Sequence, residues 1–292
     1  MENVMKQTGI SAVETERTGQ VGTIRLLTFE QWLRKVGITV DDVADLDRWW
    51  EIHPDLSAAL EQFQDDEEVR VIVITGAEDG MFLSVLGHPD DWIDGEPGGF
   101  GWMTAAWAER GFAGALRHTR LMVEMEKPII ARGNGDALGI GQSILFACDF
   151  IVMWADAIIA DLHMGLEDWP GYVAPKTFQD GDRVHGFPPG DGGAALVPTY
   201  LTPAKAKEYL MLAKPYRASE FAELGIVNYA VAPDELDEKV DDITQRLLRR
   251  SATSLAFTKR AVNRNVAGHV NLTADAAGAY QWVEMYRLGL LG

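Results

Sequence analysis

Cysteine is nearly absent. The single thiol, Cys148, in 292 residues excludes an intramolecular disulfide. It falls in an apolar stretch, where a core thiol is expected rather than a reactive one. Basic side chains are scarce too: 26 Lys and Arg stand against 44 Asp and Glu, for a formal charge of −18. That balance argues against a nucleic acid or an anionic membrane surface as partner. It also disfavours a highly anionic ligand, unless local Lys and Arg override the net field. No run of 18 apolar residues occurs, and no basic segment followed by an apolar one opens the chain. The expectation is a cytoplasmic protein with no membrane partner.

What is present suffices for one large domain, or for a domain with a helical appendage. Hydrophobic residues make up 47% of the chain, enough for a sizeable core. The centre of organisation is residues 127–155, KPIIARGNGDALGIGQSILFACDFIVMWA. A short apolar run to Ala131 reads as a buried strand ending at Gly133-Asn134-Gly135. Residues 142–148 then read as a buried helix, and 150–154 as a returning strand. Together they predict a βαβ unit with glycines at the helix N-terminus, where unpaired backbone N–H groups can hold an oxyanion or a phosphate.

Three chemistries compete for that turn. Gly133-x-Gly135-x-x-x-Gly139 is one residue off a dinucleotide fingerprint. Gly141-Gln142-Ser143 lacks the closing glycine of a nucleophile elbow, so Ser143 reads as a polar residue on a helix. An oxyanion hole of backbone N–H groups is favoured. Close helix–strand packing alone would also explain the glycines.

These residues carry a family resemblance. Asn134-Gly135-Asp136-Ala137-Leu138-Gly139-Ile140-Gly141, followed by Ala147-Cys148-Asp149, resembles the N-G-x-A-x-G-G-G…A-C-D core of the crotonase (enoyl-CoA hydratase/isomerase) superfamily. Val71-Ile72-Val73-Ile74-Thr75-Gly76 with Phe82, Pro189-Gly190-Asp191-Gly192-Gly193, and AELGIVNYAV from Ala222 resemble its other blocks, in order. The resemblance implies an α/β fold, a crotonase-type ββα spiral core over residues 1–200. A helical C-terminal region over 201–292 would serve trimerisation or cover the active site. It also implies a homotrimer or hexamer acting on a small-molecule carbonyl substrate, with no metal and no cofactor.

Within the family, FQDG at 178–181 followed by PGDG at 189–192 is similar to the 6-oxocamphor hydrolase-like β-diketone hydrolases, which cleave a C–C bond without coenzyme A. Those pair a histidine with the aspartate of P-G-D-G. Asp191 matches that aspartate. His185 lies between the motifs, and ungapped counting puts Asp182 on the histidine's position. Asp182 also falls where hydratases carry one catalytic glutamate, and Ser143 where they carry the other. The resemblance therefore implies His185, Asp191 and Asp182 as catalytic residues. It places the oxyanion N–H groups at Leu86 and Ile140, and a substrate pocket at Trp49, Trp50, His53, Ser143 and Gln281. The expected function is hydrolysis of a β-diketone or other 1,3-dicarbonyl, a retro-Claisen reaction. A hydratase, isomerase or hydrolase acting on a coenzyme A thioester as substrate is the alternative, and a catalytically silent scaffold is a further one.

Elsewhere the residues support simpler readings. Residues 1–19 are polar and read as a loose arm. Where related enzymes continue into an R-P-x-x-x-N-A loop along coenzyme A, this chain has EQWLRKVG from Glu30. His88, Asp90 and Asp91 form a turn more cheaply than a metal cluster. His163 and Glu167 are four apart, which on a helix is ligand spacing, but residues 156–176 are read as a specificity insertion. Lys259, Arg260 and Arg264 are either a solvated helix face or a cluster for coenzyme A phosphates.

Overall fold

The computed structural model describes residues 11–37, 51–84, 105–165, 179–180, 183–184 and 186–288. Trp49, Trp50, Leu86, Asp182 and His185 lie outside the described residues, as do His88, Asp90, Asp91 and Glu167.

The spiral is visible as a repeated strand–strand–helix step. β3 (Val71–Gly76) and β4 (Gly80–Leu83) precede α3 (Ala105–Glu124). β5 (Ile129–Gly133) and β6 (Gly135–Leu138) precede α4 (Ile140–Ala147). β7 (Phe150–Trp154) and β8 (Ile158–Ala160) follow. The first strand of each step joins a six-stranded sheet of order β1-β2-β3-β5-β7-β12. The second joins a four-stranded sheet of order β11-β8-β6-β4. Here β1 is Val13–Thr18, β2 is Val21–Leu26, β11 is Tyr216–Arg217 and β12 is Tyr229–Val231, while β9 (Gln179–Asp180) and β10 (Arg183–Val184) pair with each other. The helical region after residue 201 thus adds a strand to each of the two larger sheets.

Asn134 makes the step from one sheet to the other. Its Oδ1 accepts from Thr75 Oγ1 at 3.1 Å and Gly76 N at 3.0 Å, while Nδ2 donates to Gly76 O and Glu78 O. One side chain therefore satisfies the backbone of the β3–β4 turn where it crosses β5–β6. The sequence reading missed β6, because four residues between glycines carry no periodicity of their own. The predicted βαβ unit is otherwise present, with β5 and β7 parallel neighbours.

The unbroken apolar run of β3 follows from burial on both faces. Ile72 and Ile74 join the main core with Ile129, Ala131 and Ile151. Val71 and Val73, with Ile130 and Val152, pack against Leu236, Val240 and Ile243 of α8 (Leu236–Leu248). Each such side chain contributes about 1.5–3 kcal/mol on burial.

One N-terminal expectation is corrected. Residues 13–18 are an ordered strand, paired antiparallel with β2; its largely exposed outer residues hid it as a polar arm. Residues 30–36 of EQWLRKVG lie in α1 (Phe29–Val36), which starts in a capping box and ends at Gly37. Gln31 N donates to Thr28 Oγ1, and Thr28 N donates to Gln31 Oε1. Phe29, Trp32, Leu33 and Val36 are buried.

The remaining helices are α2 (Ile52–Asp65), α5 (Gly193–Tyr200), α6 (Pro203–Met211), α7 (Ala218–Glu223), α9 (Ala252–Val262) and α10 (Arg264–Arg287). Thr202 caps α6 by accepting from Lys205 N, with Pro203 in the first turn. Among the described residues, no helix is long and apolar enough to cross a membrane.

Candidate active site

The N-terminus of α4 is pressed against the end of β4. A Cβ on Gly141 would stand 2.1 Å from Leu83 O, so no larger residue fits. Ile140 opens the helix and is buried. N–H groups in a first turn have no intrahelical acceptor, and the helix dipole adds positive potential there. The Ile140 N–H lies in that first turn; Leu86, expected as the companion oxyanion donor, lies outside the described residues.

One turn along α4, Ser143 meets the Pro189–Gly193 turn. Ser143 Oγ donates to Asp191 Oδ1 at 3.0 Å and accepts from Gln142 Nε2 at 3.0 Å. Gln142 Nε2 also lies 3.2 Å from Asp161 Oδ2, and Tyr209 OH donates to Gln142 Oε1 at 3.4 Å. The turn is fixed from the other side by Gln281 of α10, whose Oε1 accepts Gly190 N–H at 2.6 Å. A residue expected in the pocket thus anchors the loop that carries Asp191.

The histidine facing Asp191 in this network is His163. Its Nδ1 donates to Asp161 Oδ1 at 2.8 Å, and its Nε2 stands 3.5 Å from Asp191 Oδ2. Asp161 Oδ1 also accepts the backbone N–H of His163, and Phe187 packs edge-on against the ring. Residues 161–165 form a turn, not the helix on which a His163–Glu167 ligand pair was considered. The useful signal was Asp161-x-His163, in which a carboxylate reaches both N–H groups of the residue two positions on.

The electrostatics follow from burial and charge. Burial pulls the His163 imidazolium down, but the Asp161 and Asp191 carboxylates outweigh it and lift its pKa to about 9. Asp191 is raised, first by burial and then by Asp161; His163, Ser143 and the Gly193 N–H act in the opposite direction. The raised pKa favours the charged imidazolium of His163 between the two aspartates. One of these, Asp191, is more basic than an ordinary aspartate. Environments that set an acid and a base side by side in this way suit proton transfer.

His53 sits outside this network. Its Nδ1 is 3.0 Å from His118 Nε2, between α2 and α3. Burial lowers His53 to about 3, and burial with the His53 charge lowers His118. The pair is a neutral core contact.

The basic cluster is largely committed. Lys259 is buried, with Nζ 2.7 Å from Asp149 Oδ2 and 3.0 Å from Lys127 O. Arg260 pairs with Glu126.

Residues 50–282 match the family model described as enoyl-CoA hydratase/isomerase. The chain is 30% identical over 230 residues to a crotonyl-CoA hydratase of Syntrophomonas wolfei, covering 77% of each chain. It is 28% identical over 211 residues to a carnitinyl-CoA dehydratase of Salmonella typhi, covering 70% of this chain and 67% of that one. In fold it is similar to a β-diketone hydrolase from the cyanobacterium Anabaena, with TM-score 0.71 and 17% identity over 99% of this chain and 98% of that one. The ββα spiral, the packed glycine turn at α4 and the order of the motif blocks agree with these matches, and the chain belongs to the enoyl-CoA hydratase/isomerase (crotonase) family.

Proposed function

We propose that this crotonase-family enzyme hydrolyses a C–C bond in a β-diketone or related 1,3-dicarbonyl. The observation that carries the reading is the placement of His163 between Asp161 and Asp191, with Ser143 bonded to Asp191 at the position of a hydratase carboxylate. A serine hydroxyl is a poor acid or base near neutrality, whereas a histidine–aspartate unit is suited to activating water. The burial of Lys259 against Asp149 also supports a substrate without coenzyme A phosphates.

The Asp191 carboxylate accepts a proton from water as the water oxygen bonds to one carbonyl carbon. The resulting oxyanion lies against the Ile140 N–H, with Leu86 as the second donor. The C–C bond then breaks and leaves its electron pair on the second carbonyl fragment as an enolate. The His163–Asp191 unit returns the proton to the enolate carbon, giving a carboxylic acid and a ketone. The removal of one oxyanion donor typically costs about 10²–10³ in rate. Asp182 and His185 compete for the same base and donor roles by their place in the motif. No cofactor enters the reaction, and a homotrimer or hexamer is the proposed assembly.

A second reading, hydration of an enoyl-coenzyme A thioester, is supported by the names of the relatives at 28–30% identity. Product analysis with cyclic and bicyclic β-diketones against crotonyl-CoA tests both. Ring-opened keto acids, lost with His163→Gln, support C–C hydrolysis. Thioester hydration that needs Asp182 and ignores His163 overturns it.

A further inference from the structure

Gln142 follows the glycine turn on α4, and its side chain is fully buried. It reaches three groups. Its Nε2 stands 3.0 Å from Ser143 Oγ and 3.2 Å from Asp161 Oδ2, and its Oε1 accepts from Tyr209 OH at 3.4 Å. Asp161 and Tyr209 are also fully buried. The Tyr209 ring, on α6, packs edge-on against Phe221 and beside Tyr216. The Pro189–Gly193 turn closes on the same place. A Cβ on Gly193 would stand 2.6 Å from Asp161 Oδ2 and 2.9 Å from Gln142 Nε2, so only glycine lets the turn come this near.

These contacts fix which end of the amide points where. An ionised carboxylate only accepts, so the end of Gln142 that faces Asp161 must be the NH2 group, and Tyr209 then donates to the carbonyl end. Both amide hydrogens are used, one on Asp161 and one on Ser143. The lone pair that Ser143 Oγ gives to Gln142 turns its own hydrogen away, onto Asp191 Oδ1 at 3.0 Å. Without that contact, a serine on a helix can donate back to the carbonyl one turn earlier. Asp161 gains as well. Its Oδ1 is taken by the backbone N–H and the Nδ1 of His163, and Gln142 supplies the donor to Oδ2. A buried carboxylate oxygen that loses its donor is costly.

We propose that Gln142 is a positioning residue: its amide, locked by Tyr209, turns the Ser143 hydroxyl onto Asp191 and keeps Asp161 in place as the carboxylate that orients His163. The inference rests on the hydrolytic reading above, in which Asp191 takes the proton from water. Gln142 acts on that reaction only through Ser143 and Asp161. The groups that face Asp191 are His163, Asp161, Ser143 and the Gly193 N–H, and Gln142 holds two of them.

The test follows the acid limb of the pH–rate profile, where Asp191 titrates, in the full-length protein. The Ser143 hydrogen bond holds the Asp191 pKa down, so its loss moves that limb to higher pH. Gln142→Met keeps the length of the side chain and removes its hydrogen bonds. It is expected to lower kcat about 10-fold with little change in KM, and to move the limb up. Ser143→Ala should move it the same way, and the double variant no further than Ser143→Ala alone. Tyr209→Phe keeps the ring and frees only the amide. It should lower kcat about threefold with a smaller shift in the same direction, and it decides if Gln142→Met does not fold. Titration of the Asp191 carboxyl by ¹³C NMR reads the same shifts without turnover. It still judges the inference if wild type cleaves no diketone and the hydrolytic reading fails. Two results overturn the inference. One is an Asp191 titration unmoved in Gln142→Met, or in Tyr209→Phe where Gln142→Met does not fold. The other is a pair of shifts, from Gln142→Met and Ser143→Ala, that add in the double variant.

Discussion

His163 Nε2 faces Asp191 Oδ2 at 3.5 Å, while the other ring nitrogen, Nδ1, is held by Asp161 Oδ1 at 2.8 Å. The tighter contact fixes the ring, and the looser one points at the carboxylate that Ser143 anchors. In the proposed reaction this asymmetry gives the two aspartates different work: Asp161 orients the ring, and Asp191 exchanges a proton.

Substitutions should separate those roles. Asp191→Asn and His163→Gln are each expected to lower kcat about 10²- to 10⁴-fold, the usual span for losing a general acid or base. Asp161→Asn removes a charge that holds the imidazolium. It should cost less in kcat and move the alkaline limb of the pH–rate profile to lower pH. Steady-state profiles of the three variants check this ordering.

The pH dependence carries a definite sign. The His163 pKa is raised to about 9 from 6.5. Its contribution to stability is therefore complete below pH 6.5 and is lost as pH rises through about 9. Denaturant unfolding of wild type and His163→Gln from pH 6 to 10 should show the gap between them shrinking across that window. A gap that widens toward pH 10 would contradict the assignment.

The His53–His118 contact predicts an opposite trend at acid pH. Both groups are held below 6.5, His53 at about 3. The unfolded chain binds protons there that the folded chain refuses, so stability falls as pH drops below 6.5. Replacing both rings with similarly shaped uncharged side chains, as in His53→Gln with His118→Gln, should flatten the stability curve between pH 4 and 6.5, measured by thermal unfolding.

Much of this was legible in residues. The run of β3 told of two buried faces, and the glycines around Ile140 told of a helix N-terminus packed on a strand. The P-G-D-G aspartate was found, and Ser143 was placed beside the chemistry. His163 was not, because it comes from the turn after β8, 28 positions before Asp191. Nothing local in sequence records a contact made when the spiral closes. β1 was hidden for a different reason: beyond Glu14 its side chains are exposed on both faces of the edge strand, so there is no apolar alternation to read.

Lys259 gives a structural counterpart to the functional predictions. Its side chain and that of Asp149 are 6% and 13% exposed, and Asp149 Oδ2 also accepts Ile129 N–H at 2.7 Å. Lys259→Met strands a buried carboxylate and should destabilise the fold by about 3–5 kcal/mol. Burial, the main influence on Asp149, already raises its pKa. The deficit should therefore narrow as pH falls and the carboxyl takes up a proton. Urea unfolding at pH 5 and pH 8 checks both size and sign.

The most direct measurement is the product distribution from a cyclic β-diketone incubated in ¹⁸O-labelled water with wild type, His163→Gln, His185→Ala and Asp182→Ala. The account predicts a ring-opened keto acid carrying one labelled carboxyl oxygen. It should be formed by wild type and abolished by His163→Gln, with smaller losses for His185→Ala and Asp182→Ala. Unchanged keto acid formation in His163→Gln, or no diketone cleavage alongside efficient hydration of crotonyl-CoA, would contradict it.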